Sequence, residues 1–229
     1  MAWEKYENAY DQTWTTVATP TVSFVNTGSH VGSSYHLQLT GASGDYMWCE
    51  PAGSGNLIYW AGWFKVTTDN MADGSSILVF DIRTASTGLL VFTMTLAKAG
   101  VQLTITPGYY NAKAGSAINI TAGTWYHWGI KYNNADEKWD LYWSTVADLG
   151  AAVQSGTADA STRAPGRLRV GFISASGTYG SDATIVGYDS FDVDYSALVH
   201  NAEDAASVED SCIGFVPIIL NSCLIGRYL

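Results

Sequence analysis

Charge is scarce in this sequence. Asp, Glu, Lys and Arg make up 14% of its 229 residues, and Lys and Arg together number only 11. A protein that binds a nucleic-acid backbone needs clustered cations to release counterions. Here the densest basic group is Arg163, Arg167 and Arg169 in a chain of net charge −10, so nucleic acid is not an expected partner. Cysteine is scarce too. Cys49, Cys212 and Cys223 are an odd number, which does not make a disulfide framework, and their spacing matches no zinc site. They read as small buried thiols, with a Cys212–Cys223 pair as the alternative. No run of about 18 apolar residues occurs before the C-terminal end. The last segment, 212–229, is apolar but interrupted by Pro217, Asn221, Ser222 and Arg227; no membrane span is expected. The first residues, Met-Ala-Trp-Glu-Lys-Tyr-Glu, carry no apolar core of a secretory signal. A virion component made without such export is one expectation, and an extracellular protein whose leader is not part of this sequence is the other.

Catalytic signatures are also missing. His30, His36, His127 and His200 are scattered, with no Gly-x-Ser-x-Gly elbow near them, and no glycine-rich phosphate loop opens a helix. Asn119-Ile-Thr121 is an N-glycosylation sequon, which matters only where a glycosylating machinery is met.

Alternation is abundant. Hydrophobic residues reach 47%, with nine Trp and fourteen Tyr, enough for one large β-sandwich core. Tyr126, Trp128, Ile130 and Tyr132 alternate along one strand, and Trp139, Leu141 and Trp143 along the next. Period two marks strands with one buried face. Asn133 to Asp136 between them suits a hairpin. Leu57 to Val66 is a long strand with Trp60, Phe64 and Val66 on one face and Tyr59, Trp63 and Lys65 on the other. Ser76–Arg83, Leu89–Ala97 and Val101–Thr106 form a three-strand meander with glycine at its turns. Further strands fall at Val22–Val25, Tyr35–Leu39, Tyr46–Cys49, near Ile118, at Leu168–Ser174 and from Ile185 onward. Between the hairpin and Pro165, a short helical turn near Asp148 and otherwise loops are expected. Helix-period patterns are nearly absent, so the fold class is all-β, an antiparallel sandwich.

Five segments carry a family resemblance. Tyr6 to Trp14 resembles an "F-E-x-x-G-Y-D-x-x-W" opening strand, and Trp63-Phe64-Lys65-Val66 resembles "F-W-x-K". Gly123-Thr-Trp-Tyr-His127 resembles "G-T-W-Y-H", and Trp139-Asp-Leu-Tyr142 resembles "W-x-L-Y". Tyr188 to Tyr195 resembles "Y-D-D-F-x-V-D". Together they are similar to concanavalin A-like, laminin G-like domains of the phage-associated or environmental type, over residues 3 to about 199. The resemblance implies a two-sheet jelly roll and a structural role for His127.

Three chemistries follow from such a fold. A glucanase needs two carboxylates flanking the scissile bond. Asp189, Asp192 and Asp194 are the nearest match; Asp192 and Asp194 share a face, with no third acid in step and no Glu. No enzyme is therefore expected. Calcium is the one ion that Asp69, Asp73, Asp81, Asp136 and Asp140 leave open, although they lack the spacing of a calcium loop; no other cofactor is expected. Surface glycans are the third candidate partner. Trp48, Trp63, Tyr109, Tyr110 and Tyr179, at turns or outward phases, are the candidate sugar platform.

The tail differs in kind. Residues 1–199 form the expected sandwich, 200–211 an acidic linker with Glu203, Asp204, Glu209 and Asp210, and 212–229 an apolar docking segment. Ile213, Phe215, Val216, Ile218, Ile219 and Leu220 would be exposed unless docked on another copy or another particle subunit. The expectation is a structural or interaction protein of a phage particle, namely a capsid decoration, tail or fibre. A carbohydrate-binding module or a surface-filament subunit is the alternative.

Overall fold

The computed structural model describes residues 4–6, 15–17, 20–25, 36–50, 57–85, 87–109, 113–133, 135–157, 165–181 and 183–194. The expected docking segment, the acidic linker, Tyr110, Cys212 and Cys223 lie outside these residues.

Among the described residues none is helical, and the strands are β1 Glu4–Tyr6, β2 Thr15–Val17, β3 Thr21–Val25, β4 His36–Thr40, β5 Asp45–Cys49, β6 Leu57–Thr68, β7 Ser76–Thr84, β8 Leu90–Ala99, β9 Gln102–Tyr109, β10 Lys113–Ala114, β11 Ile118–Ile120, β12 Tyr126–Asn133, β13 Lys138–Ser144, β14 Gln154–Thr157, β15 Pro165–Ser176 and β16 Ile185–Asp194. They form two antiparallel sheets. Sheet A runs β14-β13-β12-β6-β16-β4-β3, with β1 also on β16; sheet B runs β10-β9-β8-β7-β15-β5-β2, with β11 also on β9. The all-β sandwich expected from alternation is the architecture found. The helical turn expected near Asp148 is absent. That stretch holds β14 instead, four residues pairing with β13, too short and too rich in Ser, Gly and Thr for its alternation to show.

The hairpin is as the alternation predicts. Trp128 faces Trp143 and Tyr132 faces Trp139 across β12 and β13. Glu137, in the four-residue connection, takes the left-handed conformation (φ 53°), which closes such loops at a cost for a residue with a Cβ. The meander β7–β8–β9 turns at Gly88 and Gly100, both at positive φ, where glycine is free of that cost.

The core lies between the sheets. Trp60, Phe64, Trp128, Leu141 and Tyr188 point inward from sheet A, and Phe80, Phe92, Met94, Leu168 and Phe172 from sheet B. Trp128 is fully buried and stacks on Phe80 of the opposite sheet, ring centres 4.6 Å apart. Tyr109 and Trp139 stack across the same interface at 3.6 Å. Tyr188 adds a polar link. Its hydroxyl donates to the Val79 carbonyl at 2.6 Å and accepts the Gly171 amide at 3.2 Å. Burial pushes its ionisation well above the ordinary tyrosine range, so the hydroxyl keeps its proton as donor.

Two outcomes are expected. Trp128→Ala, which empties a fully packed site, should cost roughly 3–5 kcal/mol in chemical denaturation; an unchanged midpoint would contradict the packing. Tyr188→Phe keeps the ring and removes the hydroxyl. It should cost about 2 kcal/mol, seen as a fall in melting temperature of about 4–8 °C.

Candidate functional site

The outer face of sheet A is arranged in rows fixed by register. Gln38, Gly187 and Lys65 are Cα partners in one row. The next holds Asp189, Trp63, His127 and Ser144. Below it come Asp192, Ala61, Gly129 and Tyr142, then Asp194, Tyr59, Lys131, Asp140 and Ser155.

The upper rows are closed. Trp63, His127 and Asp189 are fully buried. Trp63 and His127 stack with rings 4.6 Å apart. The Nδ1 atom of His127 lies 2.6 Å from the Ala147 carbonyl; a carbonyl only accepts, so Nδ1 carries the proton. His127 is thus held on both its ring face and its ring edge, as a structural residue. Lys65 lies over the Trp125 ring at 4.4 Å. Burial lowers its pKa, with the Asp189 charge opposing.

The lower row opens into a groove of about 380 Å³ at the β13–β14 end. It is lined by Lys131, Asp136, Lys138, Asp140, Ser155 and Thr157, with Trp139 and Gly156 between them. Asp140 accepts the Ser155 hydroxyl at 2.6 Å and lies 3.7 Å from the Lys131 ammonium. Asn133 donates to Asp136 at 2.8 Å. Burial raises the pKa of the Tyr142 phenol, helped by the Asp140 and Tyr59 groups. Gly156 is the Cα partner of Trp139. A Cβ there would stand 2.5 Å from the Trp139 ring, so only glycine lets the indole lie under β14. The groove is lined mainly by cations, carboxylates and hydroxyls. It is open to solvent. It can accept hydrogen bonds from hydroxyls and donate to them.

The candidate sugar platform does not form as expected. Trp63 points away from the core, but that outer face is itself covered and the ring is buried. Tyr109 is buried too, because β9 runs on past Thr106 and keeps its phase, placing Leu103, Ile105 and Tyr109 all inward. Trp48 is half-buried on the outer face of sheet B, with the Arg167 guanidinium 4.3 Å from its ring centre. Tyr179 is half-buried against Phe172, and its hydroxyl accepts the Ser43 amide at 2.8 Å. These residues do not converge on one surface.

The carboxylate reading is also corrected. β16 shifts register between Asp189 and Asp192, so Asp189 pairs with Trp63, Asp192 with Ala61 and Asp194 with Tyr59. Trp63, Ala61 and Tyr59 alternate along β6, so all three aspartates hold positions on one face. A bulge inserts one residue and resets the phase, which strict alternation in the sequence hides. Asp189 is nevertheless sealed from solvent.

The turn aspartates are engaged within the protein. Asp69 pairs with Lys98 at 2.6 Å, Asp73 accepts the Gly100 amide at 2.7 Å, and Asp81 pairs with Arg83 and Arg169. Among the described residues no group of three or more His, Cys, Asp or Glu is placed to hold a metal ion. No helix of the described residues is long and apolar enough to cross a membrane.

Sequence reading missed the groove because Ser155 and Thr157 fall in a stretch without strand signals, which leaves Asp136 and Asp140 only as calcium candidates beside the hairpin and gives Lys131 no reason to be singled out. The Lys131–Asp140 cross-strand pairing was the available signal, since opposite charges facing across a ladder are favourable.

No family model matches this chain, and no curated protein is detectably similar in sequence. Solved structures share the fold. The alginate lyase Aly36B has a TM-score of 0.54 at 13% identity, over 80% of this chain and 100% of that one. The CBM2 module of the evolved Dit of Lactobacillus casei BL23 phage J-1 gives 0.51 at 13% identity, over 85% and 97%. The cellulose-induced protein Cip1 gives 0.51 at 13% identity, over 85% and 91%. At these identities the likeness is one of fold, a two-sheet antiparallel β-sandwich.

Cys49 supplies a check on the chemistry. It is a free, buried thiol whose pKa is pushed up to about 12, first by burial and then by the Glu50 charge. A thiol held protonated is a poor nucleophile. In a Cys212→Ser/Cys223→Ser background, a thiol reagent at pH 8 should label Cys49 only after denaturation. Rapid labelling of the native protein would show that the site opens.

Proposed function

We propose that this chain is a non-enzymatic, glycan-binding β-sandwich carried on a particle, with a phage tail, fibre or capsid decoration as its setting. The groove beside β14 carries this reading. Sugars are bound where an apolar ring surface meets a few placed polar groups, and Trp139 lines this groove together with Lys131, Asp140 and Ser155. The phage setting is supported by the laminin G-like motifs and by the fold shared with a phage Dit module. Attachment to the particle is assigned to the apolar segment around Ile213, Phe215 and Ile219. Burying those three side chains would contribute on the order of 5–8 kcal/mol before entropy costs.

The groove is tested on a glycan array followed by calorimetry. The double variant Lys131→Met/Asp140→Asn should bind the selected glycan at least about tenfold more weakly, a loss of about 1.4 kcal/mol or more. Its melting temperature should stay within a few degrees, because exposed pairs of this kind contribute little to stability. Array silence, or binding that survives both substitutions, would remove the groove as the binding site. Release of shortened or unsaturated products from the bound glycan would overturn the non-enzymatic reading.

A further inference from the structure

The outer face of sheet B carries an arginine cluster that the groove does not use. Three of the chain's five arginines, Arg83, Arg167 and Arg169, stand there. Arg83 of β7 and Arg167 of β15 are direct Cα partners. Like charges directly opposite destabilise a ladder unless an anion lies nearby. Two internal carboxylates partly meet that need. Asp81, fully buried, accepts Arg83 Nε at 2.9 Å and Arg169 Nε at 2.7 Å. Glu50 accepts Arg167 Nε at 2.6 Å. Among the described residues, these three arginines meet two carboxylates, a positive balance in a chain of net −10.

The guanidinium planes are held in place. Arg167 lies 4.3 Å from the Trp48 ring centre and Arg169 4.6 Å from that of Tyr46. Stacking and ion pairing fix the orientation of an arginine fork. Spare donors remain. Arg83 bonds Asp81 through Nε and the Gly88 carbonyl through Nη1; Arg167 bonds Glu50 through Nε and Nη2, and the Ala85 carbonyl through Nη2. Arg83 Nη2 and Arg167 Nη1 bond no other group among the described residues. Both side chains are 27% exposed. Two oriented donors on facing strands, beside half-buried Trp and Tyr rings, form a surface suited to carboxylates. Arg, Trp and Tyr are also the residue types that dominate binding hot spots.

We propose that this face docks the acidic stretch of residues 203–210 of a neighbouring copy of the chain. The stretch offers Glu203, Asp204, Glu209 and Asp210 among small residues, so carboxylates can approach the forks without bulky neighbours. The choice of a neighbour's stretch over the chain's own follows from the assembly in which the proposed function places the chain, and a chain that stays monomeric excludes it. The contact rests on the assembly part of the proposed function and is independent of the glycan groove.

Sedimentation velocity of the full chain tests it at about 50 and 500 mM salt, which screens exposed charge pairs strongly at the upper value. The intact protein should associate, and about tenfold more weakly at high salt. Glu203→Gln/Asp204→Asn/Glu209→Gln/Asp210→Asn should weaken association about tenfold at low salt and flatten the salt dependence, leaving the sandwich untouched. Arg167→Gln should do the same, and combining it with the four neutral substitutions should add nothing further. If Arg167→Gln fails to fold by circular dichroism, the four-residue variant alone decides. An intact chain that stays monomeric, or a neutralised variant that associates normally, overturns the proposal. A neutralised variant that assembles while Arg167→Gln loses binding to a uronate or sulfated polysaccharide overturns it in favour of a polyanion site. Deleting residues 212–229 alone separately tests the apolar attachment, so the two failures are distinguishable.

Discussion

The Tyr188 hydroxyl joins the two layers at the point where sheet B is least regular. β7 skips a residue against β8 between Leu78 and Phe80, and β15 shifts against β7 between Val170 and Ser174. Val79 is the residue left over, and its carbonyl would be a buried acceptor without a ladder partner. Such a group costs about 1–3 kcal/mol if left unmet. Tyr188 reaches across from sheet A to satisfy it and accepts the Gly171 amide with the same oxygen. The ring beneath is wedged against Phe64 and Phe191, at 5.7 and 6.0 Å. One side chain therefore sets the spacing of the layers and makes the irregularity tolerable. That irregularity in turn has a surface consequence. It puts both Val79 and Phe80 in the core and so turns Asp81 and Arg83 to the outer face, where they meet Arg169 and Arg167.

This dependence explains what was legible in the sequence. Strict alternation marks β12 and β13 because Tyr126 to Tyr132 and Trp139 to Trp143 run without a break, and every inward residue is large. The long β6 is legible for the same reason. Bulges are not legible, since one extra residue carries no compositional mark. The slip at β16 brings Asp189 into step with Asp192 and Asp194, where alternation alone set it apart. Tyr109 was misplaced for a different reason. Pro107 and Gly108 look like a strand end, yet Tyr109 continues the ladder against Phe92. Trp63 shows a third limit. Its phase was read correctly as away from the core, but phase does not say whether a face is covered.

The groove inherits its shape from the core. Trp139, one of the groove's lining residues, is an inward residue of β13 stacked on Tyr109 of the other sheet. The indole is thus fixed from below by the same contact that buries Tyr109, and from above by a β14 that must pass without a side chain at Gly156. A lining residue held on both sides loses little freedom when a ligand settles beside it. Such preorganisation lowers the cost of binding without adding contacts.

Low charge makes the remaining polar features more telling. In a chain with so few ionisable groups, most described charges are committed to pairs: Asp69 to Lys98, Asp140 to Lys131, Glu50 to Arg167, and Asp81 to two arginines. The surface between them is Ser, Thr and Gly, which gives a partner little electrostatic guidance. Recognition then has to rely on the few places where charge, aromatic surface and open donors coincide. Two such places occur among the described residues, on opposite layers: the mixed-sign groove of sheet A and the positive arginine face of sheet B. They lie on separate surfaces, so the ligand proposed for one does not compete with the segment proposed for the other. Their chemistry divides the partners as well. The groove, lined by two lysines and two aspartates, carries no net sign, whereas the stacked arginines favour negative charge.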